Sequence, residues 1–274
     1  MHLLAIPYPA IDPVALQLGP LAIKWYGLAY MAGLLLGWLY IKRLVQQPTL
    51  WRDGKAPFTP ELVDDLFMYV AVGVIAGGRL GHVLLYEPGL YLAQPLEILK
   101  IWKGGMAFHG GMLGTILAMW VFARHYRVPA LSVMDLVSAA VPLGIFFGRI
   151  ANFINAEVVG RPSGVPWAMV FPGYGPEARH PSQLYEAALE GLVLFVLLAW
   201  MIHARHRLAS PGTIGAAFLI GYGAFRTFCE FYKIDEYGGL FAIYPLTNGM
   251  VYSLLMVLAG GVAVGWLRRR PGLA

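Results

Sequence analysis

Apolar residues are concentrated in seven windows along the chain, each close to the length of a membrane-spanning helix. The windows lie at about 22–41, 63–86, 106–123, 133–154, 184–203, 213–232 and 244–267. A helix needs about 20 predominantly apolar residues to cross the hydrocarbon core of a bilayer. The pattern predicts an all-α polytopic membrane protein, with seven transmembrane helices in one integral membrane domain over residues 1–274. Prolines interrupt residues 1–20, so we expect an amphipathic arm there rather than a cleavable signal peptide.

Composition and charge agree with a membrane location. Hydrophobic residues make up 58% of the chain, charged residues 13%, and the mean hydropathy is +0.63, which is too apolar for a soluble domain. Eleven of the 20 lysines and arginines follow the first, third, fifth and seventh windows, and six lie on the other side. Positive residues accumulate on the cytoplasmic side, so this bias predicts an outside N-terminus and a cytoplasmic C-terminus. Because the bases flank apolar windows, we expect lipid headgroups and not nucleic acid as their partners.

A polar stripe interrupts the end of the fourth window. Arg149, Asn152 and Asn155 are spaced three apart within Gly148–Arg161, so they share one face of a helix. An arginine inside a transmembrane helix costs about 2.5–3.5 kcal/mol on insertion scales, which favours a functional reason for its presence. A structural ion pair with an acid on another helix, or snorkelling to the interface, is the alternative.

Two more arginines lie within windows, toward the same predicted outer end. Arg79 follows two glycines that permit close helix approach, and both a lipid-headgroup contact and a structural pair remain open for it. Arg226 repeats with Tyr222 and Glu230 every four residues, so the three share one helix face. Glutamates in the fifth window, Glu186 among them, are the natural partners for buried arginines.

Five glycines surround His109 within Gly104–Gly114. Each glycine costs about 1 kcal/mol relative to alanine in an exposed helix, so these serve either close packing or a ligand that needs bare backbone. We favour the ligand. Histidine titrates near neutral pH, so His109 could accept a proton, although a structural role is open too. Further along, prolines and glycines punctuate residues 156–182 around a strand-like piece, Trp167–Phe171, which predicts a small cap outside the membrane.

Four blocks in this order resemble the bacterial prolipoprotein diacylglyceryl transferase family. The blocks are Gly104–Gly111, Gly148–Arg161, His180–Glu186 and Gly221–Glu230, with Asp12-Pro13, Trp25-Tyr26-Gly27 and the Gly-Gly-Arg of the second window. The resemblance covers nearly the whole chain, and Gly-Arg-x-x-Asn-Phe-x-Asn-x-Glu is its most specific part. One departure is Lys233, where family members carry arginine, and this leaves the role of Lys233 open.

The resemblance implies a multi-pass enzyme of the bacterial inner membrane with a periplasmic cap, a periplasmic N-terminus and no cofactor. Its reaction would transfer the sn-1,2-diacylglyceryl group of phosphatidylglycerol to the lipobox cysteine of a preprolipoprotein signal peptide, releasing glycerol 1-phosphate. The residues it implies for catalysis are Tyr26, His109, Tyr222 and Arg226. Those for binding phosphatidylglycerol are Arg149, Asn152, Asn155, Glu157 and Gly160, to which we add Arg79.

The residue chemistry suits this reaction and disfavours other classes. A thiol must become a thiolate to attack, which His109 or the positive potential of the arginines could promote, and guanidinium groups suit a phosphate leaving group. A transporter predicts symmetry between the halves, which is absent, and an intramembrane protease predicts a Gly-x-Ser setting or paired aspartates, which Asp64, Asp65 and Asp135 do not form. One cysteine and no zinc-like spacing predict neither a disulfide nor a metal site.

Overall fold

The computed structural model describes residues 6–9, 11–234 and 246–269. Helices occupy each of the seven apolar windows. In chain order they are α1 Trp25–Val45, α2 Leu62–Leu85, the short α3 Pro88–Ala93, α4 Phe108–Tyr126, α5 Ala130–Ile154, α6 Ser182–Glu186, α7 Leu194–His203, α8 Thr213–Glu230 and α9 Asn248–Arg268. A π-helical segment, Ala187–Val193, joins α6 and α7 into one continuous helix. The start of the predicted arm, residues 1–5, and the start of the seventh window, residues 244–245, lie outside this description.

Within the described residues, five helices are long and apolar enough to cross a membrane. They are Trp25–Val45, Leu62–Leu85, Ala130–Ile154, Ser182–His203 and Asn248–Arg268. The protein is therefore a helical multi-pass membrane protein. The other two long helices, α4 and α8, are interrupted by polar side chains, including His109 in α4 and Arg226 in α8. Length and composition alone do not identify these two as spans.

Glycines bring α2 and α4 into backbone contact. A methyl group added at Gly77 would lie 2.8 Å from the Cα of Gly114, and one added at Gly81 would lie 2.8 Å from the Cα of Gly110. Real Cβ atoms do not approach other atoms so closely, so glycine is required at these positions. Close packing therefore accounts for Gly110 and Gly114, and our preference for a ligand as the reason for these two glycines was wrong. Small residues at helix contacts are usual in membranes, because they let backbones meet by van der Waals packing.

The α5 helix lies at the centre of the bundle and is antiparallel to α1. A methyl group at Gly33 would lie 2.9 Å from the Cα of Gly144, and one at Gly37 would lie 3.5 Å from the Cβ of Ala140. Residues later in α1 thus contact residues earlier in α5. The start of α1 consequently lies beside the end of α5, which carries the polar stripe.

The buried apolar core lies toward the opposite end of the bundle. Fully buried side chains there come from the ends of α1, α4 and α7 and from the starts of α5 and α8. They are Leu44, Phe122, Val133, Leu136, Ile202 and Ile214. The buried Asp135 carboxylate accepts hydrogen bonds from the backbone amides of Gly212 and Gly215, both at 2.7 Å, and so satisfies amides at the start of α8.

The N-terminal residues form β-structure that the apolar pattern did not predict. Strand β2 Val14–Leu18 pairs antiparallel with β3 Leu21–Lys24, so α1 begins at Trp25 and not at residue 22. Strand β1 Ile6–Pro7 pairs in parallel with β4 Met169–Val170, which lies within the strand-like piece expected in the cap. The segment between α5 and α6 is therefore folded onto the first described residues.

Candidate active site

Buried arginines and glutamates meet where the ends of α5 and α8 face the start of the continuous helix. Arg149 Nε lies 3.1 Å from Glu186 Oε2. Arg226 also pairs with Glu186, through Nη1, and its Nη2 lies 2.7 Å from Glu230 Oε1. Glu186 is fully buried, so the two arginines neutralise a carboxylate that water cannot reach. The prediction that glutamates of this helix are partners of the buried arginines is confirmed.

A third cation completes the cluster. Lys233 Nζ lies 3.5 Å from Glu186 Oε1 and 3.3 Å from Glu230 Oε1, so it bridges two acids already paired with Arg226. Glu230 also accepts a hydrogen bond of 2.8 Å from the hydroxyl of Thr247, the residue that caps the start of α9. These contacts give Lys233 a definite position in the site, which sequence patterns left open.

The signature segment after Arg149 turns sharply and is held by α6. Arg149 Nη1 lies 3.4 Å from the Asn152 side-chain oxygen, and Asn152 donates to Glu157 at 3.3 Å. Ala156 and Val158 both have positive φ, at 52° and 55°, which is strained for a β-branched valine. The side chains of Ser182 and Gln183 donate to the carbonyl oxygens of Val158 and Glu157, at 2.9 and 2.6 Å. The strained turn is thus stabilised by two fully buried side chains, Ser182 and Gln183.

Gly160 lies where three stretches of backbone converge. A methyl group added there would lie 2.5 Å from the carbonyl oxygen of Tyr232 and 2.8 Å from the Cβ of His180. The Gly160 amide donates to the carbonyl of His180 at 3.0 Å, and Gly160 forms a β-bridge with Lys233. The structure therefore gives Gly160 a packing reason that is independent of lipid binding.

An aromatic network connects the cap to α6. Trp167 donates to the Tyr185 hydroxyl at 2.6 Å, and that hydroxyl lies 3.0 Å from His180 Nδ1. Burial and, to a lesser degree, Arg161 lower the pKa of His180. A neutral His180 ring can accept a hydrogen bond from the Tyr185 hydroxyl at Nδ1, so every polar group of the network has a partner without any charge. It fixes the segment that follows Gly160 against the start of the continuous helix.

The two tyrosines implied by the resemblance lie close to the charged cluster. Tyr222 is within electrostatic range of Arg149, Arg226, Glu186 and Glu190, and its ring stacks on Phe218. Tyr26 is paired with Tyr30, with hydroxyl oxygens 3.3 Å apart, and Tyr30 is within electrostatic range of Arg149. The antiparallel packing of α1 on α5 brings the Tyr26–Tyr30 pair to this end of the bundle.

The neighbours of His109 and Arg79 are an aromatic ring and backbone carbonyls, respectively. The half-buried His109 ring lies 4.9 Å from the ring of Tyr252 in α9, centroid to centroid. Arg79 is 5% exposed and donates to backbone carbonyls of the connection between α3 and α4, at 2.8 Å to Ile98 and 2.6 Å to Glu97. Arg79 therefore fastens this connection to α2. Asn155 is the cap residue that follows α5, and its buried Oδ1 accepts no hydrogen bond from the described residues.

The fold and site define a helical multi-pass membrane protein with a buried arginine–glutamate cluster at one end of its bundle. The family model described as Prolipoprotein diacylglyceryl transferase matches residues 13–266. The chain belongs to this family.

Relatives named phosphatidylglycerol–prolipoprotein diacylglyceryl transferase align over nearly their whole length. One from Rhizobium meliloti (strain 1021) is 53% identical over 274 residues, which cover 100% of this chain and 98% of the relative. One from Agrobacterium fabrum (strain C58 / ATCC 33970) is 49% identical over 264 residues, covering 96% and 94%. One from Brucella canis (strain ATCC 23365 / NCTC 10854 / RM-666) is 48% identical over 258 residues, covering 93% and 92%.

Proposed function

We propose that this chain transfers the sn-1,2-diacylglyceryl group of phosphatidylglycerol to the lipobox cysteine of a preprolipoprotein signal peptide, the first step of lipoprotein maturation. The observation that carries the proposal is the pair Arg149 and Arg226, held side by side by Glu186 at the signature segment. In the reaction a carbon–sulfur bond forms at the sn-3 carbon as the carbon–oxygen bond to phosphate breaks. The bonding electrons stay on the phosphate oxygen, glycerol 1-phosphate leaves, and the thiol proton passes to a base or to that phosphate.

Arg149 is the residue we assign to the lipid phosphate. Its Nε is paired with Glu186, whereas Nη1 and Nη2 have only the longer contacts of 3.4 Å to Asn152 and 4.0 Å to Glu190. The far edge of the guanidinium can thus bind two phosphate oxygens without breaking its shortest contact. Arg149 is also the more exposed of the two arginines, at 22% against 16% for Arg226.

The other site residues have separate roles around that phosphate in this proposal. Arg226 stabilises the charge that develops on the leaving group. Asn152, Asn155, Glu157 and Gly160 shape the headgroup site. The Asn155 side-chain oxygen, which has no hydrogen-bond donor among the described residues, suits a glycerol hydroxyl. Arg79 holds the connection between α3 and α4 in place.

Two groups can promote loss of the thiol proton in this proposal. His109 is a base on α4, and the arginines supply a positive potential that stabilises a thiolate. Tyr26 and Tyr222 border the site and complete the catalytic set. No cofactor takes part.

The orientation we propose has seven spans in the bacterial inner membrane. The N-terminus and the cap at about 156–182 are periplasmic, and the C-terminus is cytoplasmic. The positive-residue bias supports this orientation, and the antiparallel packing of α2 on α4 and of α8 on α9 supports consecutive spans of opposite direction. The charged cluster then faces the outer leaflet, where both phosphatidylglycerol and an exported signal peptide are accessible.

Transfer of labelled diacylglycerol by the purified protein tests the proposed function. The protein in liposomes receives phosphatidylglycerol labelled in its acyl chains and a peptide with a lipobox cysteine. We expect a thioether-linked peptide and an equal amount of glycerol 1-phosphate. A lipobox peptide with serine in place of cysteine, and liposomes of phosphatidylcholine alone, are the matched controls. Lipid movement between leaflets without a thioether product would instead support a transporter.

A further inference from the structure

Glu190 is a fully buried carboxylate without a hydrogen bond from any of the described residues. It lies in the π-helical segment, one turn after Glu186. The nearest cationic atoms are Arg226 Nη1, 3.7 Å from Oε1, and Arg149 Nη2, 4.0 Å from Oε2. An ionised carboxylate in such a place has lost its hydration without gaining hydrogen bonds, which is costly.

Counted over the described residues, the charges of the cluster balance without a ligand. Three cations, Arg149, Arg226 and Lys233, face three carboxylates, Glu186, Glu190 and Glu230. A lipid phosphodiester would add one negative charge next to Arg149 and Arg226. Buried charges interact strongly because water does not screen them, so an uncompensated anion there would be bound weakly.

We propose that Glu190 takes up one proton when an anionic phosphodiester headgroup binds to Arg149 and Arg226, so that the buried cluster stays electrically neutral. This inference rests on the proposed function. Glu190 is then a positioning residue, because it does not touch the substrate but acts through the arginines. Once uncharged, it no longer attracts Nη2 of Arg149, and this group can turn to the phosphate. Arg226 stays paired with Glu186 and Glu230 and adds its positive charge.

The contacts of the other two acids favour Glu190 as the proton acceptor. Glu186 is paired with Arg149, Arg226 and Lys233, all of which stabilise its anionic form. Glu230 is paired with Arg226 and Lys233 and accepts the hydroxyl proton of Thr247.

The groups around Glu190 come from its own helix, from α5, and from α8 and the residues that follow it. Those within its electrostatic range are Glu186, Arg149, Tyr222, Arg226, Lys233 and the thiol of Cys229, which is uncharged near neutral pH. Arginine and lysine stay charged near neutral pH, and tyrosine stays neutral. Glu190 is therefore the group in this environment whose protonation can follow lipid binding.

The pH dependence of phosphatidylglycerol affinity tests the inference. Binding would be measured with the full chain in nanodiscs of phosphatidylcholine, with phosphatidylglycerol added at increasing fraction, over a range of about pH 5.5 to 8.5. The phosphodiester keeps one charge throughout this range. If binding takes up one proton, the dissociation constant rises by as much as about tenfold per pH unit on the alkaline side. In Glu190→Gln the constant should be independent of pH and equal to the low-pH value of the unmodified protein.

His109→Gln is the matched control, because His109 is the other proposed proton acceptor. We expect this variant to keep the pH dependence. A pH dependence that survives in Glu190→Gln, or that disappears in His109→Gln, would overturn the inference.

A second measurement applies if Glu190→Gln does not fold. Calorimetric titration of the unmodified protein in two buffers of different ionisation enthalpy counts the protons taken up. About one proton per phosphatidylglycerol is expected by linkage, and none overturns the inference. Phosphatidylglycerol that binds independently of pH removes the role of Glu190 but leaves the proposed function intact. An absence of binding at every pH contradicts both.

Discussion

The two edges of the Arg149 guanidinium have different partners. Nε points to the buried Glu186 carboxylate at 3.1 Å, while Nη1 and Nη2 face Asn152 and Glu190 at 3.4 and 4.0 Å. A planar fork can hold a carboxylate on one edge and a phosphate on the other. A lysine ammonium is a single point and cannot occupy both positions.

Arg149→Lys should therefore keep the positive charge and lose most of the activity. Losing a hydrogen bond to a charged group costs about 1.5–3 kcal/mol, which is roughly ten- to a hundredfold in affinity or rate. We expect a fall of this size in turnover with phosphatidylglycerol, measured by transfer of labelled diacylglycerol to a lipobox peptide. Arg43→Lys, at the exposed opposite end of α1, is the control and should change nothing. Arg149→Lys with turnover and lipid affinity like those of the unmodified protein would contradict the bidentate role.

Helical spacing predicted part of the site residue by residue. The three-residue and four-residue repeats correctly brought Arg149 to Asn152 and Arg226 to Glu230, because these contacts are local. The positions of Lys233 and Thr247 depend on how chain ends converge after the helices pack, so no local repeat reveals them. His109, whose nearest aromatic ring is in α9, depends equally on distant packing.

The close contact between α2 and α4 depends on which glycines of α4 face α2. Gly110 faces α2, where an added methyl group would lie 2.8 Å from the Cα of Gly81. The neighbouring Gly111 has ordinary space, with the nearest atom, the carbonyl oxygen of Val74, at 3.5 Å. The same glycine-rich stretch thus contains one position that requires glycine for packing and one that does not.

Gly110→Ala should destabilise the protein, and Gly111→Ala should not. Overpacking a tight contact costs about 1–3 kcal/mol, whereas alanine in place of glycine within a helix favours folding by up to about 1 kcal/mol. Equilibrium unfolding in mixed micelles measures both variants. Equal stability of the two would contradict the packing assignment. A Gly111→Ala protein that is stable but inactive would show that Gly111 leaves room for a ligand.

The apolar windows predicted the long helices but not the irregular elements. The windows depend on segment length and apolarity, which the bilayer dictates, so the long helices lie close to them, whereas the short α3 lies between two windows. The π-helical segment Ala187–Val193 has no such signal, since it arises where Gly191 lets the backbone approach Phe146. The β2–β3 hairpin is also set by pairing between strands and not by the apolar content of either strand.

At the scale of the whole molecule, the two ends of the bundle differ in character. The tightly packed apolar core lies near Lys42 and Arg43 at the end of α1, and the charged cluster lies at the far end of α5. The antiparallel contact of Gly33 with Gly144 requires this separation. The excess of basic residues therefore marks the face opposite the proposed catalytic face, as expected if the basic face is cytoplasmic.

Single-cysteine labelling can test this orientation, because the chain's one cysteine, Cys229, is fully buried and should not react. Cysteine is introduced at Glu177 in the cap or at Lys55 between α1 and α2, both exposed. In spheroplasts, a membrane-impermeant maleimide should label Glu177→Cys at once. Lys55→Cys should be labelled only after the membrane is permeabilised, because the basic connection is held on the cytoplasmic side. The unmodified protein gives the background from Cys229, and detergent-solubilised variants give the maximum labelling at each position. Labelling of Lys55→Cys in sealed spheroplasts, with Glu177→Cys protected, would reverse the orientation and leave the charged cluster facing the wrong leaflet for an exported signal peptide.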